Sequence, residues 1–226
     1  MWTVFFDIDC TLLRSGGSGL ETIRQLMHER YDIDKLPDIE LHGRTDFGIW
    51  QELFEKLNIA FPDDLSPMID SYCTRLETEI GKFKGQLMPG VPDVLARLHP
   101  RDDIALGLLT GNAKRAAMIK VEHFGLAEYF QPFGGFGDQH PDRNDVAAQA
   151  RQSAQEHLGD RFDPDKMWVV GDTIRDVECG KSIGAKVIAV ATGNQTLEFL
   201  RESNPDLAVS DLTDGDLIEK TITGSN

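Results

Sequence analysis

The stretch Thr3-Val4-Phe5-Phe6-Asp7-Ile8-Asp9-Cys10-Thr11 decides the fold. Its apolar, β-prone start has no polar alternation, as expected of a strand buried on both faces, and the run then meets two acids. Thr3 to Ile8 therefore reads as a first buried strand. Working outward, Ile104 to Leu109, Met167 to Val170 and Val187 to Val190 repeat the pattern, and Leu207 to Val209 is a candidate edge strand. Between them, Ala113 to Phe124, Arg143 to Leu158 and Ile174 to Ile183 carry apolar residues at three- and four-residue spacing, which predicts helices packed on a sheet. This alternation is the signature of parallel βαβ units and predicts an α/β fold. The strand ends carry Asp7, Thr110 and Asp172, at the edge where open α/β sheets bind ligands.

From Gly16 to about Pro89 the alternation stops, and no convincing strand is seen. Leu20 to Arg30, Phe47 to Leu57 and Met68 to Ile80 look amphipathic instead, so the segment is expected to be a helical insertion. Its flanks, Ser15-Gly16-Gly17-Ser18-Gly19 and Gly85 to Gly90, are rich in the residue that best absorbs backbone rotation. They read as the hinges of a lid or as plain surface loops. The division expected is a core of residues 1–15 and 90–226 with an inserted unit of residues 16–89. The tail after Asp214 is expected to be weakly structured.

A chain of 226 residues with 40% apolar and 27% charged content is globular and long enough for one domain carrying an insertion. Its net charge of −15 repels phosphate backbones and anionic lipid heads, and no basic run overrides it, so nucleic acid and membrane partners are set aside. A small anionic substrate would need well-placed cations or a metal ion. Cys10, Cys73 and Cys179 form neither a disulfide framework nor a zinc motif. With no secretory or membrane-spanning apolar run, a cytoplasmic protein is expected, as monomer or homodimer.

Three carboxylates follow apolar strands: Asp7, Asp9 and, after Val169-Val170-Gly171, Asp172. Alternation sends Asp7 and Asp9 to one side and Ile8 to the other. Two carboxylates and a backbone carbonyl would suffice for magnesium, which prefers hard oxygen ligands and keeps several waters. Any one of these acids alone reads better as a helix cap, a reading that does not suit the set.

Together these residues resemble a known family. Asp7-Ile8-Asp9-Cys10-Thr11 is similar to the DxDxT motif of the haloacid dehalogenase-like superfamily, Leu108-Leu109-Thr110-Gly111-Asn112 to its second motif, and Gly171-Asp172-Thr173-Ile174-Arg175-Asp176 to its GDxxxD motif. Gly43-Arg44-Thr45-Asp46 and Met88-Pro89-Gly90-Val91 look like segments of phosphoglycolate phosphatase-like members. The resemblance implies a Rossmann-like core with a helical cap inserted after the first motif. It implies a magnesium-dependent phosphatase of a small phosphorylated metabolite, phosphoglycolate-like or a sugar phosphate. A β-phosphoglucomutase-like phosphotransferase and a non-catalytic phosphate-ligand binding protein are the alternatives.

By resemblance Asp7 is the nucleophile and Asp9 the general acid/base, a pairing that disfavours the superfamily's dehalogenases. Asp7, Asp172 and the backbone carbonyl of Asp9 would hold magnesium. Thr110 would bond a phosphate oxygen, with the N–H groups of Gly111 and Asn112 at a helix start assisting. Asp176 either orients metal waters or a cation, or is a first-turn acid. For the phosphate-steadying cation, the usual Lys-Pro pattern is missing and two candidates remain. Arg143, just before the helix leading to the third strand, is favoured; Lys120 is expected to be a solvated or interhelical charge. Cys10 stands where many relatives have glycine, which implies an ordinary α or bridge backbone there. In the cap, Arg44 is expected to reach the substrate's remote end or to form a surface salt bridge.

Overall fold

The computed structural model describes residues 1–224. Its strands are β1 (Trp2–Phe6), β2 (Leu13–Arg14), β3 (Gln86–Leu87), β4 (Ile104–Leu109), β5 (Gly134–Gly135), β6 (Met167–Gly171), β7 (Lys186–Val190) and β8 (Leu207–Val209). Among the described residues, six of these form a parallel sheet in the order β5-β4-β1-β6-β7-β8. The chain builds outward from β1 through β4 to β5, then returns to β6 on the other side of β1. A switch point is thereby created at the C-terminal ends of β4, β1 and β6, where Thr110, Asp7 and Asp172 follow.

The helices are α1 (Ser18–Tyr31), α2 (Asp46–Lys56), α3 (Ser66–Glu79), α4 (Val91–Leu98), α5 (Lys114–His123), α6 (Arg143–Leu158), α7 (Ile174–Ser182), α8 (Leu197–Glu202) and α9 (Gly215–Thr223). Successive side chains of β1 explain why both sheet faces need covering. Val4 and Phe6 enter one apolar layer with Val94 and Leu98 of α4, Val121 of α5 and Ile218 of α9. Phe5 enters the opposite layer with Ala150 of α6 and Val177 of α7. With both faces buried, an uninterrupted apolar run, and not alternation, is the pattern the strand must have.

Between β2 and β3 lies the inserted helical cap. Its apolar faces converge on their own centre, where Met27 of α1, Trp50 and Phe54 of α2, and Tyr72 and Leu76 of α3 meet. Ala113 and Ala116, at the start of α5, belong to the same centre, so the cap rests directly on the helix that follows Thr110.

The two chain crossings into and out of the cap form a short antiparallel ribbon, Leu13 opposite Leu87 and Arg14 opposite Gln86. This corrects the reading of residues 16–89 as strand-free: a two-residue strand is too short to show a period. Gly16 sits beside the ribbon at φ 69°, and a Cβ there would lie 2.8 Å from the Lys84 carbonyl oxygen. Only glycine allows that turn and that approach together.

The expected weak tail is also corrected. α9 starts at an Asp214 cap whose side chain accepts from Leu217 N, and it buries Ile218 and Ile222, one turn apart, under the sheet. Trp168 of β6 donates its indole N–H to the Ile222 carbonyl at 3.1 Å, tying the helix to a central strand. No helix among the described residues is long and apolar enough to cross a membrane.

Candidate active site

A cavity of about 430 Å³ lies between the sheet edge and the cap. Asp7, Asp9, Thr110, Gly111, Asn112, Lys120, Arg143 and Asp172 line it from the core, and Arg44 lines it from the cap. Eight candidates from three separate strand ends and two helices are thus brought to one space. Asp176 lies directly behind, fully buried.

Asp7 extends β1, and its N–H donates to the Val170 carbonyl at 2.9 Å, which fixes it next to β6. Arg143, the first residue of α6, places Nη2 2.9 Å from Asp7 Oδ1 and 2.5 Å from Asp176 Oδ1. Asp176 in turn forms a reciprocal cap with Thr173, accepting from its N–H at 3.0 Å and its hydroxyl at 2.7 Å. Asp176 thus stands in the first turn of α7 with its two oxygens bonded to Arg143 and Thr173.

Carboxylate oxygens of Asp7, Asp172 and Asp176 lie within 4.8 Å of one another. Burial, and then the Asp176 and Asp7 charges, raise the Asp172 carboxyl well above the usual carboxylate range. Burial raises Asp7 as well, against the pull of Arg143. One guanidinium faces three acids, so the cluster is short of positive charge. Asp176 is engaged by Arg143 and Thr173, which leaves Asp7 and Asp172 as the hard oxygen donors facing the cavity. That donor set fits magnesium. Thr11, to which no role was assigned from sequence, donates to Asp172 Oδ1 at 3.2 Å and orients it.

Asp9 turns to a different partner. Lys120 Nζ lies 2.8 and 2.6 Å from its two oxygens, and Asn112 Nδ2 donates to Oδ2 at 2.8 Å. Burial alone would raise Asp9, but Lys120 and Asn112 outweigh it and hold the carboxyl below its usual range. The expectation of a solvated Lys120 is corrected here, since the residue is 4% exposed and also donates to Asn112 Oδ1 at 2.6 Å. Helix α5 carries it back across the strand end, a placement that depends on helix length and not on local spacing. Arg143 and Lys120 are therefore not competitors: each neutralises a different aspartate.

Thr110 is fully buried, and its hydroxyl oxygen accepts from Asn112 Nδ2 at 2.8 Å. Gly111 is where the cap touches the phosphate-side loop: its carbonyl accepts from Asp46 N at 2.7 Å, and a Cβ on it would lie 1.9 Å from the Arg44 carbonyl oxygen. Any side chain at 111 would hold the cap off the core. Two further bonds close this seam, Phe47 N to the Gly137 carbonyl at 2.9 Å and Ala113 N to Asp46 Oδ2 at 2.7 Å. Arg44 itself pairs with Glu52 and donates to the Gly48 carbonyl at 3.0 Å, so its guanidinium has the salt-bridge role named as the alternative.

Cys10 contradicts the expectation of an ordinary backbone, because its φ is 65°. The conformation is imposed from both sides of the residue. Its N–H donates to the Leu13 carbonyl at 2.8 Å, and its carbonyl accepts from the Thr192 hydroxyl at 2.6 Å. A left-handed non-glycine residue costs about 1–2 kcal/mol and persists where neighbours over-determine it.

With this geometry in view, the family model described as Haloacid dehalogenase-like hydrolase matches residues 4–190. The chain is 28% identical to a phosphoglycolate phosphatase of Synechococcus elongatus over 59% of its own length and 58% of that protein's. It is 26% identical to a putative pyrophosphatase PpaX of Clostridium perfringens, over 96% and 97% of the two chains. Among solved structures, a predicted phosphatase from Clostridium acetobutylicum superposes with a TM-score of 0.70 at 21% identity, covering 99% of each chain.

Proposed function

The chain belongs to the haloacid dehalogenase-like hydrolases, and on that premise we propose that it is a magnesium-dependent phosphatase of a small phosphorylated metabolite. The observation that carries the reading is the paired arrangement of Asp7 with Arg143 and of Asp9 with Lys120 at one strand end, both facing one cavity. The similarity to phosphoglycolate phosphatases and to a putative pyrophosphatase supports it.

In this proposal a carboxylate oxygen of Asp7 attacks phosphorus and the ester P–O bond breaks. Asp9, held ionised in the free site by Lys120, takes up the proton of the entering phosphomonoester monoanion and passes it to the departing oxygen, then takes one from the water that attacks the aspartyl phosphate and frees Asp7. Arg143 holds the nucleophile in place and offsets charge on the phosphoryl group; Thr110, Gly111 and Asn112 lie where its oxygens would be bound. Asp7, Asp172 and the Asp9 carbonyl are the proposed magnesium ligands, and the ion, when bound, reduces the repulsion between the nucleophile and an anionic phosphate. The proposed domain division is a core of residues 1–15 and 90–226 and a cap of residues 16–89. Glycine-flanked crossings let the cap open for substrate and close over the phosphoenzyme.

Phosphate release from a panel of phosphomonoesters tests the reading. Release is expected with magnesium, loss to background after chelation, and recovery on adding magnesium back. Undiminished release in chelator would contradict the metal-dependent proposal.

A further inference from the structure

Leu20, Ile23, Leu41, Ile49 and Tyr72 line the cavity from the cap, with Asp46 at the seam and His42 paired to Asn194. Two polar groups on this wall have unused bonding capacity. Tyr72 is 3% exposed, and its hydroxyl has no hydrogen-bond partner among the described residues. Asp46 is buried, its Oδ2 accepts from Ala113 N, and its Oδ1 has no partner among the described residues. Both residues line the same cavity.

A buried tyrosine hydroxyl ordinarily finds a partner. Three of the four Lys and Arg side chains lining the cavity already face acids. Arg44 is neutralised by Glu52, Lys120 by Asp9, and Arg143 by Asp7 and Asp176, while Arg14 donates to the Thr192 carbonyl at 2.6 Å. A substrate carboxylate placed at this wall would face Asp46 and Asp9. A hydroxyl would donate to Asp46 and accept from Tyr72, with its carbon skeleton against Leu20, Ile23 and Ile49.

We propose that Asp46 and Tyr72 are specificity-determining residues that select a phosphomonoester whose leaving alcohol is uncharged and carries a further hydroxyl, as in a sugar or polyol phosphate, over one carrying a carboxylate. This rests on the phosphatase reading and names its substrate class.

The test is a set of primary alkyl phosphates of two to six carbons ending in a methyl, a hydroxyl or a carboxylate, phosphoglycolate being the shortest acid. At the best chain length, the hydroxyl-ended ester is expected to exceed both others by about 10- to 100-fold in kcat/KM, because its absence leaves buried polar groups unpaired. In Tyr72→Phe, which keeps the Asp46 acceptor, and in Asp46→Asn, which keeps the Tyr72 donor, the hydroxyl-to-methyl ratio should fall by about 2- to 12-fold, the worth of one hydrogen bond. Asp46 also holds the cap seam, so Tyr72→Phe, which touches no seam contact, decides if Asp46→Asn disturbs docking. Preference for the carboxylate series, or equal losses on all three endings in Tyr72→Phe, would overturn the inference while leaving the phosphatase reading intact. Hydrolysis of none of these esters, nor of p-nitrophenyl phosphate, by the unmodified protein would overturn both.

Discussion

Asp7→Asn is expected to lower turnover by about 10⁴-fold or more while the protein remains folded, since no other side chain at the site can replace a covalent nucleophile. The substitution keeps the shape of the side chain next to β6. It also removes one charge from a cluster in which burial and like charges already disfavour the ionised form. A neutral amide is therefore no harder to bury there than the native carboxylate, and Arg143 keeps Asp176 as a partner. Initial rates with magnesium, alongside circular dichroism and a thermal melt, check both halves of the expectation. A folded Asp7→Asn protein with native turnover would contradict the assignment of the nucleophile.

For Asp9→Asn the expected loss in hydrolysis is about 10²- to 10⁴-fold, the range for a positioned proton donor and acceptor. The loss should depend on the leaving group. An aryl phosphate departs without needing a proton, so Asp7 still takes up the phosphoryl group, and the phosphoenzyme accumulates because its attacking water has lost its base. An alkyl phosphate should fail at the first step. Lys120 keeps its bond to Asn112 Oδ1 in this variant, which limits the structural consequence. Intact-protein mass after mixing with each substrate distinguishes the two cases. Native rates on alkyl phosphates would remove Asp9 from the acid/base role.

The sequence was most legible where burial on both faces leaves no choice of residue type. Ile104–Leu109 and Arg143–Leu158 form with the bounds read from their patterns, because an apolar run of strand length and an alanine-rich three-to-four period have few other folds. Gly134–Gly135 escaped because two glycines carry no side-chain pattern, although both are edge-strand residues paired with β4. α9 did leave a signal in Asp214 followed by Ile218 and Ile222, a cap before a one-turn apolar spacing, and the polar composition around it hid that signal.

At the site, Asp7 and Asp172 were legible because each directly follows a strand, so the sheet alone brings them together. Lys120 was not: its Nζ reaches Asp9 only because α5 folds back over the strand end, a tertiary fact without a local spacing. Cys10 failed for a different reason. Residue preference argues from intrinsic cost, whereas the Leu13 and Thr192 bonds on either side of Cys10 override that cost. Asp46 lay inside the quoted cap segment and Tyr72 within a helix with an amphipathic pattern, and only the closed seam shows that both face the cavity.

The stereochemical course at phosphorus tests the central claim most directly. A phosphorothioate monoester made chiral at phosphorus with one oxygen isotope, and cleaved in water labelled with another, passes through two in-line displacements if Asp7 is phosphorylated and then hydrolysed, and each displacement inverts the centre. Net retention of configuration in the released, chirally labelled thiophosphate is the result predicted. Net inversion would mean a single direct attack by water and would contradict an aspartyl-phosphate intermediate on Asp7.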